Sequence, residues 1–165
     1  MLTIQQQTQD LIYKISKILI QNKQKLAVAE SCTGGGLAYA LTSIAGSSTW
    51  FDRGFVTYSN HAKQELLAVE QETIQECGVV SEEVVIEMAE GVLDNSNAEV
   101  AVSITGIAGP DGGSEEKPVG TVYFGLLVGD MGQIHRECFD GDRASVREQA
   151  IIYVLEKLLE MLSAE

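Results

Sequence analysis

Basic residues are scarce in this sequence, cysteines are few, and no long apolar run interrupts it. Eleven Lys and Arg stand against 24 Asp and Glu, a formal charge of −13 with histidine neutral. No basic cluster offsets that balance, so the surface as a whole repels a phosphate polymer and nucleic acid is not expected as a partner. The three cysteines, Cys32, Cys77 and Cys138, are odd in number and widely spaced. That pattern fits neither a disulfide framework nor a CxxC metal or redox pair, and it reads as a reducing, cytoplasmic setting. A membrane span needs roughly 18 consecutive apolar residues, which no stretch supplies. The amino terminus, MLTIQQQTQD, lacks the basic-then-apolar order of a signal peptide. Only two histidines occur, His61 and His135, with no HxxxH pattern, so neither a zinc site nor a histidine triad is expected.

What is present is the balance of a globular protein: 165 residues, 45% hydrophobic and 21% charged, expected to form one domain over residues 1–165. Leu11, Ile12, Ile15, Ile18 and Leu19 predict an amphipathic helix over about 8–21. A short strand follows at 26–29, then a glycine-rich turn, then a helix carrying Leu37, Leu41 and Ile44 and ending near Gly46. Residues 51–59 read as a strand, and 60–67 as a short helix started by an asparagine cap. Ser81 caps a further helix with Glu82 and Glu83 in its first turn. A buried strand is expected at 100–105, and two strands at 120–128 and 133–139 are separated by Gly129-Asp130-Met131-Gly132, a hairpin signal that makes the sheet mixed. The last helix begins at Asp142. The class is α/β.

Chemistry concentrates in three places. In Glu30-Ser31-Cys32-Thr33-Gly34-Gly35-Gly36 a hydroxyl and a thiol precede a helix amino terminus, whose free N–H groups are able to hold an oxyanion. A serine here is equally a helix cap, and the cysteine a small buried hydrophobe. Three glycines at a helix start cost about 1 kcal/mol each relative to alanine, which either a close ligand or tight helix packing would explain. The run matches neither the P-loop nor GxGxxG, so ATP and NAD sites are not supported. Lys63 is the candidate base in place of histidine, provided it is kept neutral; otherwise it is a solvated surface residue. The loop from Thr105 and Gly106 to Ser114 follows a strand end, where open α/β sheets bind ligands. Arg143 and Arg147, one turn apart, suit a phosphate or pair with Asp140 and Glu148 on the surface.

Four blocks carry a resemblance: AESCTGG at 29–35, GSSTWFDRGFVTYSNHAK at 46–63, SITGIAGPDGGSEEKPVGTVYFG at 103–125 and CFDGDR at 138–143. In content and order they resemble the carboxy-terminal domain family of the competence/damage-inducible protein CinA, whose stand-alone members are nicotinamide-nucleotide amidases. The resemblance implies a three-layer α/β/α domain with a mixed central sheet. It implies hydrolysis of nicotinamide mononucleotide to nicotinic acid mononucleotide and ammonia, with no cofactor and no metal. Carried to the matching positions, Ser31 is the nucleophile, Lys63 its base, and Tyr58 a partner that positions or relays the proton. From loop and charge chemistry we expect Cys32, Thr33, Gly34, Gly35, Thr105, Gly106 and Arg143 to contact substrate, and Glu30 to face the pyridinium ring. The expected partners are a small-molecule substrate and further copies of the chain, a dimer being the simplest homo-oligomer, with no membrane. Two other readings remain open at this point: a thiol amidase using Cys32, and a nucleotide-binding module without catalysis.

Overall fold

The computed structural model describes residues 1–164. Its centre is a five-stranded sheet in the order β2-β1-β3-β4-β5, built from β1 (Leu26–Glu30), β2 (Phe51–Val56), β3 (Val100–Gly106), β4 (Thr121–Val128) and β5 (Met131–Cys138). β1 runs parallel to both β2 and β3, whereas β3–β4 and β4–β5 are antiparallel. The mixed sheet expected from the hairpin signal is therefore present. The turn is tighter than expected: Val128 pairs with Met131, leaving Gly129 and Asp130 as its two central residues.

Alternation along the strands sorts side chains to two faces. Leu26, Val28, Val100, Val102, Ile104, Phe124 and Leu126 join a core with α1 (Ile4–Asn22), α2 (Gly36–Leu41) and α6 (Arg143–Ser163). Ala27, Ala29 and Ala101 face the other way, toward α3 (Asn60–Leu67) and α5 (Glu82–Asp94), with α4 (Gln71–Cys77) packed beside α5. These are the three layers. The second face is made of small residues, so α5 lies close to the sheet: the Ser103 hydroxyl donates to the Val85 carbonyl at 2.6 Å. A Cβ on Gly125 would stand 2.8 Å from that same carbonyl oxygen.

Several boundaries differ from the sequence expectation for local reasons. α1 starts at Ile4 because Thr3 and Gln6 form a capping box, in a glutamine-rich turn with little apolar period to read. α2 stops at Leu41, short of Gly46. β2 ends at Val56, and Ser59, rather than Asn60, caps α3 by accepting from the Ala62 N–H at 3.0 Å. α4 was not expected: its sequence, QETIQEC, contains a single large aliphatic residue. Ser81 and Asp142 cap α5 and α6 as expected.

Candidate active site

In this strand order β1 is followed in the chain by β2 on one side, and β3 lies on the other, so the connections leaving the carboxyl ends of β1 and β3 diverge. Such a switch point opens a crevice. Ser31 is the first residue beyond β1. Its N–H donates to the Ile104 carbonyl at 3.0 Å, continuing the β1–β3 pairing, while the Thr57 N–H donates to the Glu30 carbonyl at 2.9 Å on the other side. The backbone at the serine is thus fixed from both neighbouring strands.

Lys63 reaches the same point from α3. It is 1% exposed, and its Nζ lies 3.0 Å from Ser31 Oγ, 2.9 Å from the Thr57 carbonyl oxygen and 3.4 Å from that of Tyr58. Among the described residues no carboxylate pairs with it. Burial therefore acts against its charge and lowers its pKa from 10.5 to about 8. Once it has lost its proton, the amine has two N–H groups for the two carbonyls and a lone pair for the serine hydroxyl.

Cys32 lies in the same cleft but is 6% exposed, and burial pushes its thiol up to about 11, against the smaller opposing effects of its own N–H, Arg147 and Lys63. A thiol in that state is protonated at neutral pH and is a poor nucleophile.

The cleft holds about 480 Å³ and is lined by Ser31, Cys32, Tyr58, Lys63, Thr105, Gly106 and Arg143 among the expected residues. Thr105 also donates its hydroxyl to the Val79 carbonyl at 3.1 Å. Gly106 is required by crowding, since a Cβ there would stand 2.8 Å from Val122, 2.9 Å from the Thr121 carbonyl oxygen and 3.1 Å from the Cys32 sulfur.

Other expectations are corrected by the geometry. The Glu30 carboxylate does not face the cleft; it is buried and accepts the Leu37 and Ala38 N–H groups at 2.7 and 3.0 Å, capping α2 from the strand before it. The helix N–H groups offered for an oxyanion are thereby occupied. Within the turn itself, the N–H groups of Cys32 and Thr33 meet no backbone acceptor among the described residues. Thr33, Gly34 and Gly35 also lie off the cleft lining. Gly34 and Gly35 take φ of +59° and +98°, so the turn itself requires them, and a Cβ on Gly36 would press on Ile151 of α6 at 2.9 Å. The three glycines serve turn shape and packing. The Tyr58 phenol is 60% exposed, and its oxygen accepts from Arg143 at 2.9 Å, which ties it to α6 across the cleft. Arg143 also donates to the Gly109 carbonyl at 2.8 Å, tying the glycine loop to α6. Arg147 stands behind the turn, donating to the Thr33 carbonyl at 3.3 Å, and neither arginine pairs with Asp140 or Glu148.

Sequence reasoning passed over Asn60, Lys117 and the Gly78–Val80 segment as site residues, and marked the loop that holds Asp111 and Ser114 without singling out either; all of them line the cleft. Lys117 carried a signal, being one of only 11 basic residues and lying inside the glycine loop. The charged lining consists of Lys63, Lys117, Arg143 and Asp111, so cations outnumber carboxylates locally in a chain of charge −13.

The nicotinamide-nucleotide amidohydrolase PncC of Escherichia coli (strain K12) is 58% identical over 134 residues, 81% of either chain. PncC of Enterobacter agglomerans is 60% identical over 133 residues, covering 79% of this chain and 80% of its own. Among solved structures, the competence damage-inducible protein A of Klebsiella pneumoniae subsp. pneumoniae MGH 78578 superposes with a TM-score of 0.91 at 39% identity, over 94% of this chain and 97% of the other. With the model of the CinA C-terminal domain matching residues 8–162, the chain belongs to that family.

Proposed function

We propose that the protein hydrolyses the carboxamide of nicotinamide mononucleotide, giving nicotinic acid mononucleotide and ammonia, with Ser31 as nucleophile and Lys63 as general base. The observation that carries this reading is the 3.0 Å contact between Lys63 Nζ and Ser31 Oγ in a buried setting where no carboxylate among the described residues pairs with the lysine. The names of the PncC relatives support the substrate.

The neutral amine takes the hydroxyl proton as Ser31 Oγ attacks the carboxamide carbon. Negative charge then develops on the carboxamide oxygen, and the N–H of Cys32, the lining residue next to the nucleophile, is the donor offered to hold it. The Lys63 ammonium, fixed by the Thr57 and Tyr58 carbonyls, returns its proton to the nitrogen, and the C–N bond breaks with loss of ammonia. Water attacks the acyl-serine carbon, giving its proton to the same amine, and the C–Oγ bond breaks as the Lys63 ammonium returns that proton to Ser31 Oγ, releasing the carboxylic acid. Arg143 is placed to meet the phosphate, and Tyr58 acts as its brace rather than in proton transfer.

The test is ammonia release from nicotinamide mononucleotide, nicotinamide riboside and nicotinamide by the wild type and Ser31→Ala. We expect the mononucleotide to be turned over far faster than nicotinamide, and Ser31→Ala to abolish turnover. Binding of the mononucleotide without ammonia release by the wild type would leave a binding module instead. The protein is further proposed to act in the cytoplasm as a homo-oligomer, simplest as a dimer. Light scattering that reports a monomer at micromolar concentration would remove the second part.

A further inference from the structure

Lys117 is the cationic residue of the cleft lining to which the reaction above gives no task. It lies near the end of the glycine loop, half-buried, and its Nζ donates to the Val80 carbonyl at 2.6 Å and the Cys77 carbonyl at 3.2 Å. Both acceptors are neutral. An ammonium has three N–H donors, so two carbonyl bonds, with the face of the Tyr123 ring 5.9 Å from Nζ, fix its position and leave one donor and a charge with no anionic partner. The loop around it is correspondingly well held. Ser114 and Lys117 exchange bonds, the Ser114 N–H donating to the Lys117 carbonyl at 2.9 Å and the Lys117 N–H to Ser114 Oγ at 3.0 Å.

Arg143 is exposed at the wall formed by Tyr58 and Gly109, and its partners are also neutral: among the described residues its guanidinium donates to a carbonyl and a phenol. The cleft therefore carries two anchored cations on separate segments, neither in an ion pair with a carboxylate among the described residues, against the single lining carboxylate of Asp111, in a protein of net charge −13. A buried or half-buried cation left without a counterion is costly unless an anion arrives. A phosphate monoester carries about −1.5 to −2 at neutral pH, which two cations match better than one.

We propose that Lys117 is a substrate-binding residue that grips the phosphate of the mononucleotide together with Arg143. The inference rests on the nucleotide reading of this cleft, so its test separates phosphate binding from amide chemistry. The probe is ribose 5-phosphate, which has the phosphate and sugar but no carboxamide, with ribose as control, measured by calorimetry. Lys117→Gln keeps an N–H donor for the Cys77 and Val80 carbonyls and loses the charge, whereas Lys117→Arg keeps the charge.

The expected result is that wild type binds ribose 5-phosphate and not ribose, that Lys117→Gln weakens this at least tenfold with its melting temperature within a few degrees of wild type, and that Lys117→Arg retains most of it. In ammonia assays Lys117→Gln should raise KM for the mononucleotide at least tenfold, change kcat less than threefold, and leave turnover of the riboside as it was. Unchanged binding of ribose 5-phosphate by Lys117→Gln, or no binding by the wild type, would overturn the proposal. So would an equal loss for riboside and mononucleotide, because a clamp that merely shapes the loop affects both. Ribose 5-phosphate binding that depends on Lys117 in a protein that releases no ammonia would sink the amidase reading and leave this one standing.

Discussion

Lys63 illustrates how one residue's chemistry is set against the stability of the whole. Its pKa near 8 lies below the unfolded value of 10.5, so between those values the unfolded chain holds a proton that the folded chain has released. Stability contributed by this group therefore rises with pH across that window, with a slope of at most about 1.4 kcal/mol per pH unit, and its full cost is felt below pH 8. Lys63→Met has no such ionisation. The difference in unfolding free energy between wild type and Lys63→Met should shift in favour of the wild type as pH rises from 7 to 10, and a constant difference would contradict the buried-amine assignment. Cys32 gives the opposite kind of prediction. With its thiol at about 11, Cys32→Ala should retain ammonia release within about tenfold, and iodoacetamide should modify the native protein slowly at pH 7. Rapid inactivation by alkylation at Cys32 would reopen a thiol mechanism. Glu30 belongs to stability: removing its carboxylate leaves the Leu37 and Ala38 N–H groups without their acceptor. Glu30→Ala should cost about 1–3 kcal/mol in denaturant unfolding.

Among the elements, α3 places the base and α5 holds α3 in place. A Cβ on Gly91 of α5 would collide with the Leu67 carbonyl of α3, which is backbone and has nowhere to go. Gly91→Ala should destabilise the protein by about 1–3 kcal/mol despite alanine's better helix propensity, and should reduce amidase activity by moving Lys63. A neutral or stabilising effect in urea unfolding would show that α3 and α5 pack less closely than described. The helices α5 and α6 were legible because each has a polar cap, Ser81 or Asp142, followed by an apolar period. α4 was not, because seven mostly polar residues carry no period, and its place comes from packing: Thr73 donates to Glu87 of α5 at 2.6 Å. The first turn of α1 was hidden for a similar reason, its cap lying among glutamines.

For the whole molecule, topology turns distant segments into one site. Ser31 and Lys63 are 32 residues apart, and spacing alone left Lys63 as readily on the surface; the family-like blocks marked both, and the parallel β1–β2 connection brings them together. Glu30 was misread because a carboxylate beside a nucleophile suggests a ligand, whereas strand alternation turns it toward α2. Lys117 was missed because its partners, the Cys77 and Val80 carbonyls, belong to a segment with no sequence signal of its own. The account as a whole depends on proton transfer between Ser31 and Lys63, and the most direct measurement is single-turnover ammonia release from nicotinamide mononucleotide as a function of pH. The wild-type rate should rise through one ionisation near 8, and folded Lys63→Met and Lys63→Arg proteins should each be slower by about a hundredfold or more, since neither side chain can accept the proton. Near-normal release by either variant, or a wild-type rate independent of pH between 6 and 9, would contradict the assignment of Lys63 as the base.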